Sequence, residues 1–356
     1  MSKQIVVAPT AFKGSFSPRE VADAMAVGAR NACPDGAVLT CPVSDGGDGL
    51  LDAVLPPESL RESVQVTGPL GTSVTASLGW IDAQTAIIES ASACGLALVP
   101  SESRDPLGAT TRGVGELIAE AAGRGAANVI VGLGGSATTD GGTGAARGLG
   151  WTFQDAAGAE LPEGGGALPD LAEFGGGWSL NLRVIGLADV STPLTGPRGA
   201  ARVFAPQKGA SPEQVERLAA GLDQLARLFA LHGRPELSDL PMGGAAGGLG
   251  AGLVHFAHAE LTSGSSWVLE RVGFDAALAR ADLVLTGEGA FDPTSLAGKA
   301  VGEVVRRAQA ARCRVAVVAG IAEHMAGVHV VDGGGQRLSA RDLAAMAERA
   351  TREAFA

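Results

Sequence analysis

Ile5-Val6-Val7-Ala8-Pro9-Thr10-Ala11-Phe12-Lys13-Gly14-Ser15-Phe16-Ser17-Pro18-Arg19-Glu20 is the stretch whose reading decides the fold. Its first four residues are an apolar, largely β-branched run cut short by proline, the pattern of a buried strand. Ser17, Pro18 and Glu20 supply an N-cap, a proline at the first helical position and the return half of a capping box. A helix is therefore expected from there to about Ala32. Val38 to Val43 makes a second strand, followed by Ser44-Asp45-Gly46-Gly47-Asp48-Gly49 and a short helix near Leu50 to Val54. Strand, helix, strand, helix is how a parallel sheet with covered faces begins.

The far end of the chain returns to that rhythm. Helices are predicted near 266–280, 299–311 and 339–353, with strands over Asp282–Thr286, Val315–Ala319 and Val328–Val331. The middle differs. Val64, Val66, Val74, Ala76, Leu78 and Trp80 alternate with polar residues around Gly68-Pro69-Leu70-Gly71, which reads as an antiparallel hairpin. Then come a helix over Thr111–Gly123, strands at Asn128–Gly132 and Leu182–Leu187, a long glycine-rich loop over 155–178, and an amphipathic helix opened by Ser211-Pro212-Glu213-Gln214. Matching ends around a different middle predict two α/β domains. A discontinuous flavodoxin- or Rossmann-like parallel-sheet domain is expected over 1–63 and 262–356, with a large mixed α/β domain inserted at 64–261. In such sheets a ligand lies in the crevice at the carboxyl ends of the strands.

Composition narrows the class of function. The chain has 356 residues, enough for two cores, and 46% hydrophobic content to fill them. A formal charge of −11 argues against nucleic-acid or anionic-membrane surfaces as partners, because both need a basic patch. Cys33, Cys41, Cys94 and Cys313 show neither a CxxC pair nor zinc spacing, so reduced thiols are expected. No apolar run approaches a membrane span, and the opening MSKQIVVAPTAFKG lacks a signal peptide's apolar core. These features predict a cytoplasmic protein, monomer or homodimer, acting on small molecules.

The 53 glycines cluster in blocks after the strands. The strongest block is Gly132-Leu133-Gly134-Gly135-Ser136-Ala137-Thr138-Thr139-Asp140-Gly141-Gly142-Thr143-Gly144. Successive backbone N–H groups with small hydroxyls form a concavity suited to phosphate oxygens, and no GxxxxGK[ST] loop is present. The same block holds a partial dinucleotide fingerprint, Gly132-x-Gly134-x-x-Ala137, with Asp155 downstream. That motif requires a helix starting near Ser136 and running through Gly141, Gly142 and Gly144.

Charged residues recur in the same post-strand places. Lys13 follows the first strand and would neutralise phosphate charge. Asp45 follows the second, where a carboxylate can accept a hydroxyl proton or hold Mg²⁺; Asp48 reads equally well as an N-cap. Asp189 ends a strand, Glu288 and Asp292 follow a late one, Lys299 opens a helix, and Lys208 sits in Pro206-Gln207-Lys208-Gly209. Chemistry on Mg-ATP needs this mixture. His255 and His258 are three apart in an apolar stretch expected to be helical; with no third ligand in view, packing is the expected role.

Taken in order, APTAFKGSFS, PVSDGGDG, ESASACGL, DPLGATTRGVGELI, GLGGSATTDGGTG, ADVSTPLTG, VFAPQKGA, GGAAGGLGAGL, ADLVLTGEG and Gly298-Lys299 resemble the bacterial glycerate kinase family. The resemblance implies ATP-dependent phosphorylation of D-glycerate, usually at the 2-hydroxyl, by two α/β domains with the active site between them. It implies that Lys13, Asp45 and Asp189 serve catalysis, and that Gly134, Gly135, Ser136, Thr138, Asp140, Lys208 and Lys299 bind ATP. Asp189, Glu288 and Asp292 would then hold Mg²⁺. The chain departs from the family pattern at Ala11, where a serine is usual, and at Thr10, Thr139, Thr192, Ala290 and Thr294, where an acid, an arginine and several amides are usual. Two alternatives follow: a nicotinamide-dependent dehydrogenase, from the partial fingerprint, and a non-catalytic hydroxy-acid binder, from the lost polar groups.

Overall fold

The structure is a computed structural model that describes residues 2–296, 298–323, 325 and 327–356. The chain divides into two compact units, Met1–Pro57 with Ser263–Ala356, and Glu58–Thr262. The first unit begins with β1 (Gln4–Val7), α1 (Pro18–Ala32), β2 (Ala37–Thr40) and α2 (Leu50–Val54). The second contains β3 (Arg61–Thr67), β4 (Ser73–Asp82), β5 (Thr85–Glu89), α3 (Ser90–Cys94), α4 (Arg112–Gly123), β6 (Asn128–Gly132) and α5 (Thr143–Gly148). It continues with β7 (Trp151–Gln154), β8 (Glu173–Gly176), β9 (Arg183–Leu187), α6 (Ala200–Phe204), α7 (Pro212–Leu231), α8 (Ala245–Phe256) and β10 (Glu260–Thr262). The chain then returns to the first unit with α9 (Gly264–Arg271), α10 (Phe274–Leu278), β11 (Leu283–Phe291), α11 (Ala300–Ala310), β12 (Arg314–Ala322), β13 (His329–Asp332) and α12 (Ala340–Phe355).

The first unit is built on five parallel strands in the order β13-β12-β11-β1-β2. Counted within the unit this is 2-1-3-4-5, the flavodoxin-like order, and its direction reverses between β1 and β11. Ile5, Val6 and Val7 are buried at that seam, paired with Leu283, Val284 and Leu285. Each such side chain contributes about 1.5–3 kcal/mol on burial. The capping box forms as expected: Glu20 N donates to Ser17 Oγ at 3.3 Å, and Ser17 N donates to Glu20 Oε2 at 2.8 Å. Val21, Ala22, Met25 and Ala29 of α1 then join Leu343 and Ala347 of α12 in one core.

The second unit has a mixed six-stranded sheet, β10-β9-β6-β5-β4-β3. Its β10, β9, β6 and β5 run parallel, whereas β4 and β3 add antiparallel strands. The fold is thus α/β, with the parallel and mixed sheets that the pattern predicts.

Three local readings need correction. The loop expected over 155–178 contains β8, paired antiparallel with β7. Phe174 is buried there against Trp151, Phe153 and Phe229, and this packing overrides the glycine content. The helix expected over 266–280 is two, broken at Gly273, whose φ of 71° leaves the helical region. The strand expected to stop at Thr286 runs on to Phe291, because β12 supplies parallel partners as far as Ala322. Glu288 therefore sits within a strand and not in the loop after it.

Candidate functional site

A cavity of about 490 Å³ opens in the first unit at the carboxyl edge of its sheet, where the strand order reverses. The loop after β1 forms one wall. Phe12 and Phe16 exchange backbone hydrogen bonds of 3.0 Å, and Phe12 is buried in the core. That tight turn puts Lys13 at its exposed tip, facing the cavity. Asp45 and Asp48 enter from the loop after β2. Asp45 Oδ1 accepts from Gly47 N at 2.9 Å, which fixes its carboxylate. The N-cap of α2 is Gly49 and takes no side-chain bond, so Asp48 is not the cap.

Glu288, Ala290 and Asp292 form the wall from β11. Burial pushes the Glu288 carboxyl up from its ordinary value; Ser295 and Lys299 pull it down, while Asp292 and Asp45 add to the rise. Its Oε1 is buried with no hydrogen-bond partner among the described residues. Such an atom costs about 1–3 kcal/mol unless something occupies its face. Asp292 accepts from Thr294 Oγ1 at 2.6 Å and Thr294 N at 2.7 Å, which hold it below the ordinary carboxylate range. Lys299 Nζ donates to the same Thr294 hydroxyl at 2.9 Å. Three of the departed positions, Thr10, Ala11 and Ala290, line this cavity; Thr294 braces two of its charges.

The glycine block of the second unit follows β6 and divides into two halves of different use. In the second half the amides are consumed internally. Asp140, fully buried, accepts from Thr111 N and Oγ1 at 2.8 Å each, and from Gly142 N and Gly144 N at 3.1 Å each. Burial pushes its carboxyl up, against the pull of those four donors. Gly144 is needed for close packing: a Cβ there would lie 2.2 Å from Thr110 Oγ1. In the first half, the backbone N–H groups of Gly134, Gly135, Ser136, Thr138 and Thr139 make no hydrogen bond among the described residues. The hydroxyl of Thr139 is also buried without a partner.

Lys208 lies beneath this half-loop. It is 3% exposed, and its Nζ donates to Ser136 Oγ at 3.0 Å and to the carbonyl of Thr138 at 2.5 Å. Burial pulls its pKa down to about 8, opposed by Cys94 and Asp140. Asp189 stands two residues past β9, half-buried; the carbonyl of Leu187, which ends that strand, accepts from Leu133 N.

The structure thus gathers Lys13, Asp45, Glu288, Asp292 and Lys299 around one cavity of the first unit. It gathers Gly134, Gly135, Ser136, Thr138, Asp140 and Lys208 around one loop of the second, with Asp189 just past the neighbouring strand. Among the described residues no three His, Cys, Asp or Glu side chains form a metal cluster. His255 stacks on Phe229 at 4.4 Å, and His258 lies past the end of α8, so the pair shares no helical face. Sequence reading missed Arg337, which lines the cavity from the loop after β13, and Ser90, whose buried hydroxyl has no partner among the described residues. Ser90 stood within a quoted motif; Arg337 carried no signal except its place after a strand.

The chain matches the Glycerate kinase family over residues 5–354. It belongs to that family. It is 44% identical over 304 residues to glycerate 2-kinase of Escherichia coli K12, covering 83% of this chain and 79% of the relative. It is 41% identical over 323 residues to glycerate kinase of Bacillus subtilis 168, covering 89% and 85%. The crystal structure of a Salmonella typhimurium LT2 protein assigned as glycerate kinase 2 superposes with a TM-score of 0.83 at 37% identity, over 99% and 98% of the two chains. As a family member the chain is a kinase. The dehydrogenase reading falls on geometry as well: α5 begins at Thr143, not near Ser136, and Asp155 is tied into a turn by Ala157 N and Ala159 N.

Proposed function

We propose that this glycerate kinase family member moves the γ-phosphoryl group of ATP onto the 2-hydroxyl of D-glycerate, giving 2-phosphoglycerate and ADP. The observation that carries the reading is the first unit's cavity, where Lys13, Asp45, Glu288 and Asp292 converge at the point where the strand order reverses. The hydroxyl oxygen bonds to the γ-phosphorus as the bond from phosphorus to the β–γ bridging oxygen breaks. Asp45 takes the hydroxyl proton, its carboxylate already oriented by Gly47 N. Lys13 offsets charge on the transferring phosphoryl group.

Glu288 and Asp292 fit a Mg²⁺ ion, Glu288 through its buried, unpartnered Oε1. A cation of this kind is held by one or two carboxylates plus phosphates, so a three-ligand protein cluster is not required. When bound it would neutralise phosphate oxygens. In the second unit, the free amides of Gly134, Gly135, Ser136 and Thr138 are the groups suited to further phosphate oxygens. Asp140 and Lys208 act through the loop they hold, and Asp189 is the acid adjoining it. These assignments predict that purified protein with Mg-ATP and D-glycerate releases ADP, and that enolase coupling identifies the 2-phosphate. ADP release no faster than without acceptor, across glycerate and related hydroxy acids, would refute the reading in favour of a silent binder.

A further inference from the structure

We propose that Arg337 is the oxyanion anchor of the first unit's cavity, a binding residue that grips a carboxylate or phosphate of the bound substrates; this rests on the reading that the cavity holds them. Arg337 occupies the loop between β13 and α12, and its side chain lines the cavity together with Glu288 and Ala290. The loop around it is fixed on both sides. Before it, Gly333 N donates to Ala319 O and Gly335 N to Gly320 O, both at 2.9 Å, tying the backbone to the end of β12. After it, Leu338 packs on the core, and Ser339 caps α12 in a reciprocal box with Asp342.

The backbone is therefore set in place while the guanidinium has no hydrogen bond or ion pair among the described residues. The other cations of this wall differ. Lys299 is engaged by Thr294, and Lys13 is a point charge on a flexible stem. Only a guanidinium presents a planar fork that matches a carboxylate or phosphate face with two parallel bonds. Carboxylates are close enough to act on one another here, yet none has captured it: Glu288 interacts with Asp292, Asp45 and Lys299. Ala11 and Ala290, both small, line the same cavity.

The test compares Arg337→Ala, Arg337→Lys and, as an exposed control outside the cavity, Arg341→Ala in the full chain. Arg337→Ala should raise KM for one oxyanion substrate about 10- to 100-fold with kcat changed less than threefold. A rise confined to D-glycerate assigns the fork to the carboxylate; a rise confined to ATP assigns it to phosphate. Arg337→Lys should recover only part of the loss, because it restores charge without the fork. In parallel, thermal stabilisation by D-glycerate, MgADP and inorganic phosphate, read without turnover, should be weakened in Arg337→Ala and unchanged in Arg341→Ala. Unchanged KM values and unchanged stabilisation in an active Arg337→Ala enzyme overturn the anchor and leave the kinase reading standing. An inactive wild type overturns the kinase reading, and the anchor falls too if none of the three probes stabilises the wild type through Arg337.

Discussion

The two units place the same ingredients after their strands and use them in opposite ways. In the first, Lys13, Asp45 and Asp48 project from short loops toward open space. In the second, Asp140 and Lys208 point inward and are almost fully covered. The difference is where the hydrogen bonds go. Asp140 is saturated by four donors of its own chain, and Lys208 by the loop above it. Among the described residues, Asp45 keeps only a turn contact. A buried, self-satisfied charge shapes backbone, and an open one acts on what arrives. Glycine-acid-lysine motifs look alike in sequence, and only burial separates the two uses.

The largest expected effects test that separation directly. Asp45→Ala should lower kcat/KM about 1,000-fold, within the range for losing a positioned proton acceptor, with the unfolding midpoint unchanged. Asp140→Ala should do the reverse in kind. Leaving buried donors without an acceptor costs about 3–5 kcal/mol, a fall of about 10 °C in the melting temperature, with activity lost as a consequence. Calorimetry alongside initial rates distinguishes the pair. If Asp140→Ala keeps its melting temperature and loses only turnover, the inward-facing role is wrong.

A middle-sized effect is expected at Lys208. Lys208→Met removes two hydrogen bonds to the glycine loop but also removes a charge whose burial is unfavourable, as its depressed pKa records. These contributions oppose each other, so stability should shift by no more than about 1–2 kcal/mol. The loop that Lys208 fastens should nevertheless loosen, raising KM for ATP about 10-fold while KM for glycerate holds. Equal rises in both KM values would argue against a role confined to the loop.

Much of this was legible beforehand, for identifiable reasons. The capping box at Ser17 and the helix start at Ser211-Pro212 are local signals and formed as written. The parallel strands were visible as apolar runs because they are buried on both faces. What failed was non-local. β8 exists because Phe174 has aromatic partners about 20 to 80 residues away, which no window over 155–178 contains. Glu288 joined a strand because β12 offered a ladder beside a Gly-Glu-Gly segment that reads as a turn. The glycine block could be located but not divided, since the division depends on Asp140 meeting Thr111 across 29 residues. Arg337 was silent for the same reason: only the fold brings it to the wall that Ala290 lines.

A last expected effect, on stability alone, concerns a half-buried titratable group with no part in either proposed phosphate site. His255 is half-buried among aromatic rings, stacked on Phe229 and edge-on to Phe174, and its Nδ1 has no partner among the described residues. Burial, then repulsion from Arg234 and from His232, pulls its pKa from 6.5 down to about 4. The folded state therefore favours neutral imidazole, while the unfolded chain protonates near the ordinary value. Stability from this source is complete above pH 6.5 and falls as the pH drops toward about 4, where it levels off. Partial exposure screens the effect, so the loss should be about 2 kcal/mol. His255→Phe keeps the ring stack without the charge. Urea midpoints at pH 7.5 and 4.5 should then show the variant losing less stability on acidification than the wild type. A gap between the two proteins that is the same at both pH values would mean that His255 contributes packing alone, and that the acid sensitivity of the second unit lies with its carboxylates.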